Sequence, residues 1–427
     1  MARIVVDLTP ILPGGENGGA KILAIELVRN MAQIARQHQF VLLTIERNHK
    51  ELESLDTKNV KRICIDSSGE IGVTERIAQI ALLGVPFYLL NFLKKTIPAS
   101  LKGKLKVKAY KFISSVTIRC KSSEVLEVIK ADLLYCPFTA PYHYSKKIPV
   151  VATVLDLQYK YYPDFFSADD RYVRNKNFEL ACKYANYLAC ISNFVRRTVL
   201  DNSSFDPDKV KTVHLCLANR LPTSKNISNK DLFSSMGLEK NGYLFYPANF
   251  WKHKNHEMLF TAFGMYKKQN QKSQLKLVCT GAPGERLTYL KNAITKMRLE
   301  NQVIFPGYLS ENDFAVLLSE CKAVIFPSLY EGFGIPVIEA MRYGKPVLCS
   351  NVTSLPEVAE EAALLFDPRK PHEICSAMER VENDQDLVKK LIINGYKQAE
   401  KFCDPLVMAR EYLEIFNKAM QENKYES

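Results

Sequence analysis

Two carboxylates eight residues apart, Glu331 and Glu339, lie in the segment 326–344 (FPSLYEGFGIPVIEAMRYG) of a 427-residue chain. An apolar strand ends at Phe326, a glycine-containing loop follows, Pro336 suits the start of a helix and Gly344 its C-terminal cap. In a parallel sheet such loops gather at the carboxyl ends of the strands, where ligands bind, and the free N–H groups of a helix start favour phosphate. The pattern predicts Glu339 in the first helical turn, where a carboxylate can accept hydrogen bonds from the vicinal hydroxyls of a ribose. Glu331, on the loop, is free to face a second polyhydroxylated group. Two acids so spaced fit one sugar nucleotide. Taken alone, they more readily describe a charge that complements the helix dipole and a solvated loop acid, so the surrounding sequence has to decide.

The elements that must position these residues read as two α/β series. Apolar runs at 3–8, 40–45, 133–136, 150–155 and 187–191 alternate with polar or helical stretches, which suits a parallel sheet covered by helices. A second series at 243–246, 276–280, 303–305, 323–326, 346–349 and 362–366 repeats the arrangement as another doubly wound unit. The length exceeds that at which single cores usually stop growing, so two domains are expected. The polar stretch 219–231 (NRLPTSKNISNKD) reads as the connection between them. The resulting division is 1–220 for the first domain, with a basic and apolar insertion near 77–123, then 221–238 as linker and 239–404 as the second domain. A C-terminal helix over 405–427 places Val407, Tyr412, Leu413 and Phe416 near one face and should pack on a surface the sequence does not name.

With the carboxylates in this frame, the second half of the chain resembles the retaining group 1 glycosyltransferases of the GT-B superfamily, mannosyltransferase-like members in particular. Their E-x7-E signature appears as Glu331 to Glu339, and the match continues through 344–350 (GKPVLCS), 354–357 (SLPE) and 362–368 (AALLFDP). The resemblance implies a GT-B fold: two Rossmann-like, doubly wound domains facing a central cleft, the first on the acceptor side and the second binding the nucleotide sugar. It implies that Glu331 contacts the donor hexose and Glu339 the ribose. Backbone amides of Phe333, Gly334 and Ile335 would then hold the diphosphate.

A second matching segment, 246–256 (YPANFWKHKNH), joins strand to helix through a basic loop, and the resemblance implies that Lys254 neutralises the departing phosphate. The family often carries an Arg six positions before this Lys; here that position is Ala248, with Lys252 and His253 as nearby substitutes. In 13–21 (PGGENGGAK), Gly18 and Gly19 resemble the family's glycine loop, which closes over donor phosphate and acceptor. The segment 156–163 (DLQYKYYP) resembles one found most often in mannosyltransferase-like members, except that Leu155 stands where a His commonly precedes Asp156. The implied reaction transfers a hexose, with mannose from a guanosine donor as the first expectation, to a glycan or lipid-linked acceptor hydroxyl with retention. No protein nucleophile is needed.

Composition bounds the setting. With 47% apolar and 24% charged residues the chain is globular, and its formal charge of +12 favours polyanionic partners. Nine of the Lys and Arg fall within 77–123 with no acid among them, interleaved with Phe87, Tyr88, Phe92, Tyr110 and Phe112. An anionic membrane surface and a solvated basic face fit this tract equally well. No nucleic-acid motif accompanies the charge, so nucleic acid is not expected as a partner. The cysteines form no C-x-x-C pair and the N-terminus is not a signal peptide, which suggests the cytoplasm, peripheral on the inner membrane face if the tract binds lipid. The D-x-D at Asp384 and Asp386 and the Ser310–Asp313 spacing read as helix caps, and no His cluster has metal-ligand spacing, so neither an essential metal nor a cofactor is expected beyond the nucleotide-sugar co-substrate. Two other readings stay open: a sugar-nucleotide epimerase of related fold, and a non-catalytic nucleotide-sugar-binding scaffold subunit, the latter motivated by Leu155 and Ala248.

Overall fold

The apolar runs form two sheets in the computed structural model, which describes residues 1–14, 17–65, 124–222, 233 and 235–426. The basic tract at 77–123, Gly15 and Glu16 of the glycine loop, and residues 223–232 and 234 of the expected linker lie outside the described residues. The first sheet contains β1 (Arg3–Asp7), β2 (Gln39–Thr44), β3 (Val60–Cys64), β4 (Leu133–Cys136), β5 (Val150–Val154), β6 (Tyr187–Cys190) and β7 (Val210–Thr212), in the order β3-β2-β1-β4-β5-β6-β7. The second contains β8 (Tyr243–Pro247), β9 (Lys276–Thr280), β10 (Val303–Gly307), β11 (Ala323–Phe326), β12 (Val347–Ser350) and β13 (Ala363–Phe366), in the order β10-β9-β8-β11-β12-β13. This is an α/β architecture of two doubly wound sheets.

The second sheet is parallel throughout. Its central strands β8 and β11 are buried along their whole length, which is why they read as unbroken apolar runs rather than as an alternation. They are neighbours, with Leu244 opposite Ala323 and Phe245 opposite Val324. From β8 the chain winds outward to β9 and β10, and from β11 in the other direction to β12 and β13. The β8–β11 junction is therefore the topological switch point, where the loops leaving the two strands open a crevice. In the first sheet β1 and β4 occupy the corresponding positions.

The chain divides into two compact units, one comprising Met1–Thr153, Lys176–Ala189 and Tyr412–Ser427, the other Val154–Asn175 and Cys190–Glu411. Within the first, the end of the helix Pro405–Glu426 packs on β4: the Tyr135 ring lies 5.5 Å from that of Tyr412 and 5.1 Å from that of Phe416. Thr153 Oγ1 links the two buried phenols, 2.8 Å from Tyr135 Oη and 3.0 Å from Tyr412 Oη. The buried face of this helix is Met408, Ala409, Tyr412, Ile415, Phe416 and Ala419. Val407, expected on that face, is 39% exposed. Five positions from Tyr412 correspond to about 140° around a helix, which turns Val407 away from the line set by the two aromatics. No helix among the described residues is long and apolar enough to cross a membrane.

Because Phe416 is fully buried against Tyr135, Phe416→Ala should cost about 3–5 kcal/mol of stability, read by urea denaturation. A loss below about 1 kcal/mol would mean that the helix end contributes little to this core.

Candidate active site

The loop after β8 carries Lys254 and the loop after β11 carries Glu331, so the switch point brings the two together. Asn255 ties the loops to each other: in the left-handed conformation (φ 61°), its amide Nδ2 donates to the carbonyls of Pro327 (3.1 Å) and Pro368 (2.8 Å). Tyr246 Oη donates to the Lys254 carbonyl and Leu329 N–H to that of His253, at 2.6 and 2.7 Å. With both backbones held, Lys254 Nζ lies 2.6 Å from Glu331 Oε1 and 5.1 Å from the centre of the Phe326 ring. Their side chains are 12% and 11% exposed, so solvent screens this pair little.

The loop that bears Glu331 is fixed through its carbonyls. Ser354 Oγ lies 3.0 Å from the carbonyl oxygens of both Glu331 and Phe333, Ser192 Oγ donates to that of Gly332 at 2.7 Å, and Glu331 N–H donates to Thr353 Oγ1. In a trans peptide the carbonyl and the following N–H point to opposite sides. Holding the Gly332 and Phe333 carbonyls therefore aims the N–H groups of Phe333 and Gly334 the other way. Those two N–H groups and that of Ile335, which opens the helix Ile335–Arg342, donate to none of the described residues. A Cβ at Gly332 would collide with the Leu155 carbonyl oxygen, and Gly334 sits at φ 107°, so both positions require glycine.

Glu339 opens the second turn of that helix rather than sitting in its first, as the sequence suggested, because Ile335 is the first helical residue. The residue is 1% exposed, and its carboxylate accepts from Arg220 through Nε (2.9 Å) and Nη2 (2.7 Å), both on Oε1. Burial pushes the Glu339 carboxyl above its ordinary range, while the Arg220 charge and hydrogen bonds pull it back. The sequence reading did not single out Arg220. It is the first charged residue of a polar connection, and nothing in its spacing marks it.

Around this site, Asp156 Oδ1 caps a turn by accepting from Gln158 N–H, and Tyr162 donates to the Leu329 carbonyl while accepting from Arg369. Tyr330 is enclosed by Tyr161, Tyr162 and Phe194. Glu357 accepts from the N–H groups of Asn193 and Phe194 at 2.7 and 2.9 Å and lies 2.7 Å from His214 Nε2. Burial alone would raise its carboxyl, but these three partners outweigh it and hold the group below the usual carboxylate range. His253 and His256 are pushed down by burial, to about 2 and about 3, so neither supplies the positive charge missing at Ala248. His256 is fully buried against Tyr246, Phe250 and Phe260. Asp384 and Ser310 cap helices, accepting from the N–H groups of Leu387 and Asp313.

Gly18 and Gly19 belong to the other unit, where Gly18 adopts φ 53° immediately before the helix Gly19–Ile34. The adjoining Lys21 closes that loop on itself, donating to the Leu12 and Gly14 carbonyls and pairing with Glu51.

Paired sheets of this topology, with a glycine-bearing loop and a buried acid at one switch point, define a GT-B architecture, and the same fold recurs in solved structures. HepE of Anabaena, in complex with UDP and glucose, superposes with a TM-score of 0.68 at 17% identity over 98% of this chain and 100% of HepE. WaaG, a glycosyltransferase involved in lipopolysaccharide biosynthesis, gives 0.62 at 13% identity over 97% and 99%. The family described as "Glycosyl transferases group 1" matches residues 228–398. That match covers the part of the chain that carries the second sheet. Among curated relatives, O-antigen chain mannosyltransferase B of Escherichia coli is 26% identical over 59% of this chain and 66% of its own length. The serotype-specific mannosyltransferase WbdA of the same species is 34% identical over 35% of this chain but only 18% of its own, so the match spans less than two thirds of both relatives. O-antigen chain mannosyltransferase RfbU of Salmonella typhimurium is 27% identical over 61% and 68%.

Removing the Ser354 hydroxyl leaves two loop carbonyls without it, and Ser354→Ala should cost about 1–3 kcal/mol in urea denaturation; an unchanged midpoint would show that the loop holds without it. Because the folded Glu357 carboxyl lies below its unfolded value, its stabilisation is present above that unfolded value and is lost as pH falls through the folded one. The stability gap between the parent and Glu357→Gln should therefore be full near neutral pH and close in acid. A gap independent of pH would contradict the assignment.

Proposed function

We propose that this chain transfers a hexose from a nucleoside diphosphate sugar to a hydroxyl of a growing glycan or lipid-linked acceptor, with retention at the anomeric carbon. The observation that carries the reading is the set of three open N–H groups, those of Phe333 and Gly334 aimed away from anchored carbonyls and that of Ile335 at the helix start, on the loop that carries Glu331, whose partner is Lys254. A diphosphate is the ligand such a set favours: backbone N–H groups at a helix start accept an anion, and Lys254 adds a full charge.

In this reading the bond between the anomeric carbon and the diphosphate breaks as the acceptor oxygen attacks from the same face, and the departing diphosphate oxygen takes the acceptor proton. Lys254 and the amides stabilise the charge that develops on the leaving group, Glu331 orients the hexose, and Glu339 holds the ribose. With the phosphate charge met by Lys254 and the amides, the reaction needs neither a metal nor a further cofactor. Mannose as the sugar is supported by the names of the relatives, which are mannosyltransferases of O-antigen chains. A site of action at the cytoplasmic face of an anionic membrane is supported by the basic tract of the sequence.

Titration calorimetry with a panel of nucleoside diphosphates and their sugars tests the donor site, and product analysis distinguishes transfer from epimerisation, which leaves the nucleotide attached. Glu339→Ala should weaken donor binding by about tenfold or more. Lys254→Ala should mainly lower kcat, by about 10²–10³, the loss typical of removing one group that stabilises developing negative charge. Turnover should survive EDTA. Equal losses of affinity and rate in both variants would overturn the assignment of roles.

A further inference from the structure

The two oxygens of the Glu339 carboxylate are not equivalent. Oε1 receives both Arg220 Nε and Arg220 Nη2, which fills its two lone-pair directions. Oε2 has no hydrogen-bond partner among the described residues, so it is the oxygen left to accept from a ligand. Arg220 is itself held on both flanks. Its Nη1 donates to Glu311 Oε1 at 2.8 Å, Ala218 N–H donates to the Phe402 carbonyl, and Asn219 bridges the Cys403 carbonyl and Arg342 Nε. On the other side Tyr343 Oη donates to the Pro222 carbonyl. The network grades inward from Glu311, whose side chain is 69% exposed, through Arg220 at 15% to Glu339 at 2%.

A carboxylate this deeply buried keeps its charge and its orientation only if something supplies both. Burial favours the protonated form, and the Arg220 charge opposes that preference. A guanidinium that offers two N–H groups in a rigid fork also sets the plane of the acid, which a lysine ammonium would not do.

We infer that Arg220 is a positioning residue for nucleotide recognition: it holds Glu339 through Oε1 so that Oε2 alone is presented to the ribose hydroxyls of the donor. The inference rests on the assignment of Glu339 to the ribose. It predicts that Arg220 influences only the part of the affinity that depends on those hydroxyls, although Arg220 itself touches no ligand atom.

The readout is the ratio of affinities for a ribonucleoside diphosphate and its 2′,3′-dideoxy counterpart, measured by calorimetry on the full chain with the guanosine, uridine, adenosine, cytidine and thymine series. The parent protein should prefer the ribo form by about tenfold or more, as expected for hydrogen bonds to a charged acceptor. Glu339→Gln should collapse that ratio towards one. Arg220→Gln should do the same while leaving affinity for the dideoxy form within about twofold, and the double variant should be no worse than either single one, since the two residues act on one contact. Arg220→Lys, which keeps the charge without the fork and serves if the glutamine variant does not fold, should give an intermediate ratio.

If Arg220→Gln weakens ribo and dideoxy binding equally, or leaves the parent ratio intact while Glu339→Gln abolishes it, Arg220 is structural and the inference fails with the ribose assignment standing. For Arg220→Lys, a ratio equal to the parent's overturns it in the same way. If Glu339→Gln leaves the ratio unchanged, or no nucleoside diphosphate binds, the ribose assignment itself falls and takes the inference with it.

Discussion

A peptide plane carries a carbonyl on one side and the next N–H on the other, and this site depends on which side the carbonyls of 331–333 are held. Ser354 and Ser192 take all three, and that decides where the N–H groups of 333 and 334 point. Each serine is itself set by a helix start: Ser192 caps the helix Asn193–Asp201 by accepting from Val195 N–H, and Ser354 immediately precedes the helix Leu355–Ala359. Glu357, one turn into the latter, reaches back to the N–H groups of Asn193 and Phe194. The loop is thus shaped by two serine hydroxyls, and Glu357 ties together the two helix starts that carry them. Its donors are oriented in advance, which spares the reorganisation that flexible donors or water would require.

Two ion pairs of different character adjoin this loop. In each, burial lowers the screening by water, so removing one partner would leave a charge that the interior does not tolerate. Lys254 and Glu331 meet as a single contact between an ammonium on a flexible stem and a loop acid, a geometry that leaves both members free to exchange partners. Arg220 and Glu339 meet through two N–H groups on one oxygen, a geometry that resists exchange. The first pair is suited to a changing charge and the second to a fixed orientation.

Much of the fold was legible in the sequence because a strand buried on both faces must be apolar along its length. Each strand named from such a run is present, with ends that differ by a few residues at most. The two strands that sequence reasoning missed have a shared cause. β3 (VKRIC) is an edge strand with Lys61 and Arg62 at its centre, and β7 has three residues, so neither forms an apolar run. The C-terminal helix was legible as amphipathic, and Tyr412 and Phe416 lie on its buried stripe, but Val407 does not. Periodicity finds an apolar face, and the contact with Tyr135 selects which residues lie at its centre.

For the site, residue type and spacing placed Glu331, Glu339 and the intervening amides on a single strand, loop and helix segment, because those residues are near neighbours in the chain. Spacing could not show that Lys254 closes on Glu331 across 77 positions, that Ser192 and Ser354 orient the loop, or that Arg220 occupies one oxygen of Glu339. Such contacts join residues far apart in sequence, and no local pattern records them. The sequence by itself determined the doubly wound sheets and the likeness of its second half to a glycosyltransferase family, since burial and turn chemistry leave periodic traces over short distances. Only the tertiary structure decided which donors are engaged, which remain open and which charges are paired, because these follow from the meeting of distant loops at the switch point of a sheet.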